Sequence, residues 1–344
     1  MNGNRLAALL MLLWFHPLMV KGEILAELDG IMKPTALHVA GEVFVIPEAE
    51  SVSIYSLKNF MLIEKFGKRG EGPGEFRAAP EVLLVPGRIL THSAGQCQWF
   101  NLKGELIRSE KRLDFQQPIP LGDHYLAFFN DFNPPKKQSL RKFVLVDKNF
   151  KKVKEIYIAD FDVNMMMPGE TKPPKFKMIR HYLGHAAAGG KFFIADSGRG
   201  FSIEVYDSGG RHLDSIRHVE KRVKVSDAYK KKVMAAFTVS HRHIVERFGI
   251  DRFSFYEYFP AINACRFTAE RIYVTTYREK NGLHEVIILD HEGKIRNRIF
   301  LPLKSMRIYK NVGEVDPYCF HDGKLYELIE NSEEVWELHC TDIP

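Results

Sequence analysis

The sequence predicts an all-β fold assembled from six copies of one strand unit. Three observations support this. The chain has 344 residues, 12% of them aromatic, with 25 Phe and 13 Tyr in many short Val/Ile/Phe/Tyr runs, the residue types that fit a pleated, half-buried surface. Those runs come in pairs, each pair entered from a Gly or charged residue and closed by a turn containing Gly or Asn. The pair recurs six times at a spacing that suits four strands with their loops. At 45% apolar and 27% charged residues the chain is not disordered in bulk. Its net charge of +6 is mild for this length and says little about nucleic acid.

The first unit runs from Gly41 through Val43–Ile46 and Val52–Tyr55 to a turn at Lys58–Asn59. The second runs from Gly87 through Ile89–Leu90 and Cys97–Phe100 to Asn101–Gly104. The third holds Tyr125–Phe128, a polar loop, Phe143–Val146 and the turn Asp147–Asn149. The fourth holds Phe192–Ala195, Ile203–Tyr206 and Asp207–Gly210. The fifth holds Ile272–Val274, Val286–Leu289 and Asp290–Gly293. The sixth holds Leu325–Leu328 and Val335–Leu338, then ends. Runs such as Phe192-Phe193-Ile194 are apolar on both faces, as in sheets covered on both sides.

Residues 23–344 therefore read as one six-bladed β-propeller domain of about 54 residues per blade. Uneven unit starts place insertions in blades three and four. The sixth unit lacks an outermost strand, and Ile24–Leu28 is placed to supply it, closing the ring across the termini.

Two segments resemble a known repeat. Phe66–Phe76 (FGKRGEGPGEF), followed by Pro80, resembles the blade linker of NHL-type propellers. Ile194–Arg199 with Ile203, Val205, Tyr206, Asp207 and Gly210 resembles the other half of that repeat. The chain as a whole is similar to exported bacterial six-bladed propellers of the NHL/TolB-like group. No catalytic residue set of an enzyme in that group maps onto it.

Residues 1–22 match an export signal: Arg5, the apolar run Leu6–Phe15, then smaller residues up to Gly22. Cleavage after Gly22 is expected, with cleavage after Ala26 or an uncleaved anchor as the alternatives. No integral span is expected in the mature chain, which would be periplasmic or extracellular. Of the four cysteines, Cys319 and Cys340 are near enough in sequence to pair; the alternative is four buried thiols. None shows a Cys-x-x-Cys spacing.

Several segments depart from the repeat. Asn130–Lys142 and Met165–Lys177 are polar, Pro- and Lys-containing, and read as projecting loops whose basic rim would meet an acidic partner or simply solvent. Ser226–Phe237 predicts a short amphipathic helix, with Ser226 as its cap and Tyr229, Val233 and Phe237 on one stripe. It would lie over a mouth or flank of the propeller. Phe253–Phe259 is a dense aromatic patch, read as core or as a ligand face rimmed by Arg242, Arg247 and Arg252.

The candidate ligand-binding residues are His38, His185, His321, Asp196, Arg247 and Arg252. The three histidines precede strand runs near the expected axis, where they would hold a metal or an anion. Asp131, Asp196, Asp251 and Asp316 are the carboxylates that a calcium or other divalent site would draw on. Asp196 also suits ordering its own Asp-Ser-Gly turn. No nucleophile elbow, phosphate loop or His-Glu-x-x-His is present. The expected role is a binding module for a protein, peptide or carbohydrate, not nucleic acid. The rival is a metal-assisted hydrolase or lyase at the channel mouth.

Overall fold

The computed structural model describes residues 22–111, 113–133, 138–161, 175–309 and 315–343. The chain opens with β1 (Glu23–Leu28). Blade one holds β2 (His38–Ala40), β3 (Val43–Pro47), β4 (Val52–Ser56) and β5 (Leu62–Phe66). Blade two holds β6 (Glu81–Val85), β7 (Arg88–Ser93), β8 (Gln96–Asn101) and β9 (Leu106–Glu110). Blade three holds β10 (Gln116–Leu121), β11 (His124–Asn133), β12 (Gln138–Asp147) and β13 (Lys152–Asp160). After β14 (Phe176–Lys177), blade four holds β15 (Leu183–Ala188), β16 (Lys191–Asp196), β17 (Phe201–Tyr206) and β18 (His212–His218). Helices α1 (Asp227–Ser240) and α2 (Arg242–Phe248) follow, then β19 (Phe253–Ser254), which pairs in parallel with β14. Blade five holds β20 (Ala264–Phe267), β21 (Ile272–Lys280), β22 (Leu283–Leu289) and β23 (Ile295–Leu301). Blade six holds β24 (Tyr318–His321), β25 (Lys324–Glu330) and β26 (Trp336–Asp342).

The six four-stranded sheets form a six-bladed β-propeller, and β1 is the outermost strand of blade six. It pairs antiparallel with β26, Leu28 opposite Trp336 and Glu23 opposite Cys340. The shortage of one strand at the C-terminus is thus met from the N-terminus, as the sequence predicts.

Each gap between blades has its own apolar core. Val45 and Ile54 of blade one meet Val82 and Phe100 of blade two, with Phe76 of the Gly-rich linker buried between them. Leu126, Phe128 and Phe143 meet Phe192 and Tyr206 across blades three and four. Phe193 and Ile203 meet Val274 and Leu289 across blades four and five. Tyr273 and Val286 meet Tyr318 and Leu325 across blades five and six. Leu328 and Leu338 meet Phe44 and Tyr55 across the closing pair. Trp99 and Leu90 meet Tyr125 and Phe150 in the remaining gap. This is why the middle strands are apolar on both faces.

One turn repeats in five blades. Asn101, Asp147, Asp207, Asp290 and Asn331 each accept two main-chain N–H bonds on Oδ1, from residues two and four further on. The residue three further on has positive φ: Gly104 at 75°, Phe150 at 60°, Gly210 at 69°, Gly293 at 84° and Glu334 at 63°. A short acceptor side chain and a left-handed residue make this turn, and Gly is favoured there but not required.

The strand runs named in the sequence are the second and third strands of each blade, not the first. The innermost strands are shorter or half-exposed, such as His38–Ala40 and Leu183–Ala188, so no apolar signal marks them. The outermost strands are largely exposed, as Leu62–Phe66 illustrates.

Two further expectations need correction. The polar stretch from Asn130 to Lys142 is not simply a loop: residues 130–133 and 138–142 extend the hairpin of β11 and β12. Residues 162–174, most of the second expected loop, and the export-signal segment 1–21 lie outside the described residues. The helical insertion has two helices where one was expected. α1 is capped as predicted, Ser226 Oγ accepting from Tyr229 N at 3.2 Å. α2 has no side-chain cap and no buried residue, so nothing in its sequence announces it.

All four cysteines are free. Cys319 and Cys340 lie opposite the same residue, Tyr326, on either side of β25. Two strand spacings separate their Cα atoms by about 9–10 Å, beyond the roughly 7 Å limit for a disulfide. Burial pushes all four thiols up, Cys319 to about 12.

Candidate functional site

The innermost strands of the six blades surround an axial cavity of about 1030 Å³. His38, Glu81, Gln117, His185, Arg266 and Tyr318 are among its lining residues, one from each inner strand. At one mouth the lining continues onto Ser226, Ala228, Tyr229 and Lys232 of the α1 region, and onto Met306–Tyr309. The insertion between blades four and five therefore reaches over the axis.

α1 is held there by its apolar stripe. Val233 and Phe237 are buried against Met178, Phe253, Phe255 and Tyr309. Tyr229 meets Phe259 edge-on at 4.8 Å, and Phe259 stacks on Tyr277 at 4.3 Å. The aromatic patch of residues 253–259 thus supplies part of the seat for the helix. Tyr229 also donates to the carbonyl of Ile308 at 3.3 Å.

Two guanidinium groups shape the cavity chemistry. Arg266, on β20, donates to the carbonyls of Tyr318 (3.3 Å), Cys265 (3.2 Å) and Asp316 (3.2 Å), and sits 4.5 Å from the Tyr318 ring centroid. Arg141, on β12, lies between the rings of Phe128 and Phe161, at 3.9 and 3.8 Å, and donates from Nε to Asn130 Oδ1 at 2.9 Å. Burial lowers Arg141 to about 10, with Glu81 pulling the other way, so it stays charged at neutral pH.

The lining histidines behave differently. His185 Nε2 donates to the Gln117 carbonyl at 2.8 Å, and its ring meets Phe128 and Phe143 edge-on. Burial lowers both His38 and His185 to about 4; Arg266 adds to the effect at His38 and Arg141 at His185. Both are neutral at pH 7. Burial also raises Tyr182, Tyr277 and Tyr318, which remain protonated donors.

The residues singled out in the sequence are dispersed. His38 and His185 line the cavity, whereas His321 ends β24 outside the lining, 3.4 Å from Asp322. Asp196 caps the turn after β16: Oδ1 accepts from Gly198 N at 2.8 Å and Oδ2 from the Tyr157 hydroxyl at 2.8 Å. Arg247 is exposed on α2, and Arg252 follows it in a single 3-10 turn, both outside the cavity lining. Asp131 pairs with Lys142 at 2.6 Å, and Asp316 accepts from Arg307 N at 2.9 Å. Among the described residues no three His, Cys, Asp or Glu side chains gather as a metal site.

Sequence reasoning missed Arg141 and Arg266. The available signal is a charge inside an otherwise apolar run, as in Ala264-Cys265-Arg266-Phe267.

No protein-family model matches the chain, and no curated protein matches it. Among solved structures, the chain is similar to the Pan2 WD40 domain of Neurospora crassa, at 8% identity and a TM-score of 0.43, over 91% of this chain and 90% of that one. It is also similar to Kuenenia stuttgartiensis hydrazine synthase, at 13% identity and a TM-score of 0.40, over 88% of this chain and 74% of that one. At that distance neither protein's role transfers to this chain. Its architecture is read from its own six sheets. Among the described residues, no helix is long and apolar enough to cross a membrane.

Proposed function

We propose that this chain is an exported binding module that takes its ligand in the axial cavity beneath α1. One observation carries the reading: all six inner strands and α1 converge on a space of about 1030 Å³, at the upper end of typical ligand pockets. That space excludes a folded domain. A chain end, a short peptide segment or a few sugar units would fit. Buried tyrosines and rigid strands suit recognition by stacking and directed hydrogen bonds. A metal-assisted hydrolase or lyase has no comparable support.

The mouth offers a test. Ala228 is exposed on α1 yet lines the cavity, so Ala228→Trp should narrow the opening without disturbing the core. Ligand recovered on immobilised wild-type protein from its own envelope fraction should fall by about tenfold on the variant, with the melting temperature unchanged. Equal recovery on both proteins would overturn the reading that the ligand enters beneath α1.

The NHL/TolB-like resemblance and the apolar N-terminal run support export. Of the two cleavage points, cleavage after Gly22 leaves β1 whole, whereas cleavage after Ala26 removes Glu23–Ala26 from the closing strand. The mature chain is therefore expected to begin at Glu23. Intact-mass measurement of the protein from its native host checks this, and a chain that retains Met1 would count against export by cleavage.

A further inference from the structure

We propose that the ligand of the axial cavity is anionic, a carboxylate- or phosphate-bearing small molecule anchored by Arg266 and Arg141. This deepens the cavity reading above and rests on it. Arg141, Arg180, Lys232, Arg266 and Arg307 line the cavity, against only Glu81 and Glu279 among the described residues. The excess is not neutralised locally where it matters. Neither Arg266 nor Arg141 has a carboxylate of the described residues within ion-pair distance. Both guanidiniums are half-buried, and Asp316 acts on Arg266 and Glu81 on Arg141 only through space, so an anion in direct hydrogen-bond contact adds compensation that the fold leaves incomplete.

The way each arginine is held suits this role. The partners of Arg266 are three main-chain carbonyls, which fix the group while leaving its full charge in place. They occupy three of its five N–H donors, leaving two for a ligand oxygen. At Arg141 the rings of Phe128 and Phe161 cover the two faces of the guanidinium, so further hydrogen bonds must lie in its plane. A flat fork already held in place loses little entropy on binding a carboxylate or phosphate.

The local carboxylates are otherwise engaged. Glu81 accepts from Gln117 Nε2 at 2.5 Å and meets His92 Nδ1 at 3.1 Å. Glu279 lies 3.5 Å from His284 Nδ1. The first turn of α1 also faces the mouth through Ser226 and Ala228, and the positive end of a helix dipole acts in the same direction. Its Asp227 is paired with Lys230 at 2.8 Å. His38 and His185, neutral at pH 7, neither add to the charge nor oppose it.

The test is calorimetric titration of the mature chain at low ionic strength with citrate, inorganic phosphate and uncharged maltotriose. Citrate or phosphate should bind one to one, and affinity should fall as salt rises, because the partners are charged. Binding of citrate alone assigns a carboxylate ligand, and binding of phosphate alone a phosphate ester. Arg266→Gln and Arg141→Gln should each weaken that binding by about tenfold or more. Arg247→Gln, exposed on α2, should leave it unchanged. If Arg266→Gln fails to fold, the wild-type salt dependence and Arg141→Gln decide.

The inference is overturned if neither anion binds, or if bound anion is indifferent to both arginines. Binding of maltotriose alone, blocked by Ala228→Trp, would overturn the anionic ligand while leaving the cavity as the site. Anion binding that depends on the arginines but not on the mouth variant would support the charge assignment and place entry elsewhere.

Discussion

A chain that starts at Asp29, without β1, is expected to lose most of its stability and to self-associate. β1 supplies the outer strand of blade six through five registered pairs with β26. Leu28, only 2% exposed, packs in the core shared by blades six and one. Burying one leucine is worth about 2–3 kcal/mol, and each main-chain hydrogen bond about 1 kcal/mol net. The strand therefore contributes on the order of 5 kcal/mol or more, comparable with the whole stability of many domains.

Its loss also frees the edge of β26, a template for pairing with another copy. Urea unfolding with size-exclusion chromatography reads both effects. A synthetic Gly22–Leu28 peptide added in trans should partly restore the monomer. Leu28→Ala isolates the side chain and should cost about 2–4 kcal/mol. If the shortened chain unfolds at the urea midpoint of the full chain, the closing role of β1 is refuted.

The second expected result is a fall in stability between pH 7 and pH 5. His38 and His185 are held at about 4 in the folded chain, against 6.5 for an ordinary histidine. In this window the unfolded chain binds protons that the folded chain does not, so stability rises with pH and falls as acid is added. The loss begins near pH 6.5 and levels off below about 4.

Full expression of both shifts would give nearly 4 kcal/mol between pH 7 and pH 5. Both histidines are half-exposed along the cavity, and solvent screening reduces this to about 2–3 kcal/mol. Glu327, raised by burial, acts in the opposite sense and offsets a little of the loss. Urea midpoints at pH 7 and pH 5 measure the difference, and His185→Gln should remove about half of it. Equal midpoints at the two pH values would show that neither histidine is held neutral by the fold.

Much of the architecture is legible in the chain because propeller blades are local. Each is a hairpin pair with a recognisable turn, and runs such as Phe192-Phe193-Ile194 are apolar on both faces because each blade is covered on both sides. The Asx turn with its left-handed residue appears in the sequence as Asn-x-x-Gly or Asp-x-x-Gly in blades two, four and five. The inner strands escape notice for the complementary reason. They face a wet channel on one edge, so His38-Val39-Ala40 and Leu183–Ala188 carry mixed chemistry at no cost to the core. The candidate site is correspondingly half-visible: His38 and His185 read as channel residues, while Asp196 serves its own turn and the two arginines look like ordinary strand charges.

The sequence by itself determined the blade repeat, its number, the need for a strand from the N-terminus and the cap of α1. These depend on residue periodicity, turn chemistry and neighbours a few positions apart. Only the tertiary structure decided which side chains share the axis. Arg141 and Arg266 are 125 positions apart in sequence, and closure of the ring brings them to one cavity. Charge compensation is a property of that three-dimensional neighbourhood. No spacing along the chain encodes which cations, among the described residues, have no carboxylate within ion-pair distance once six blades have closed around the channel.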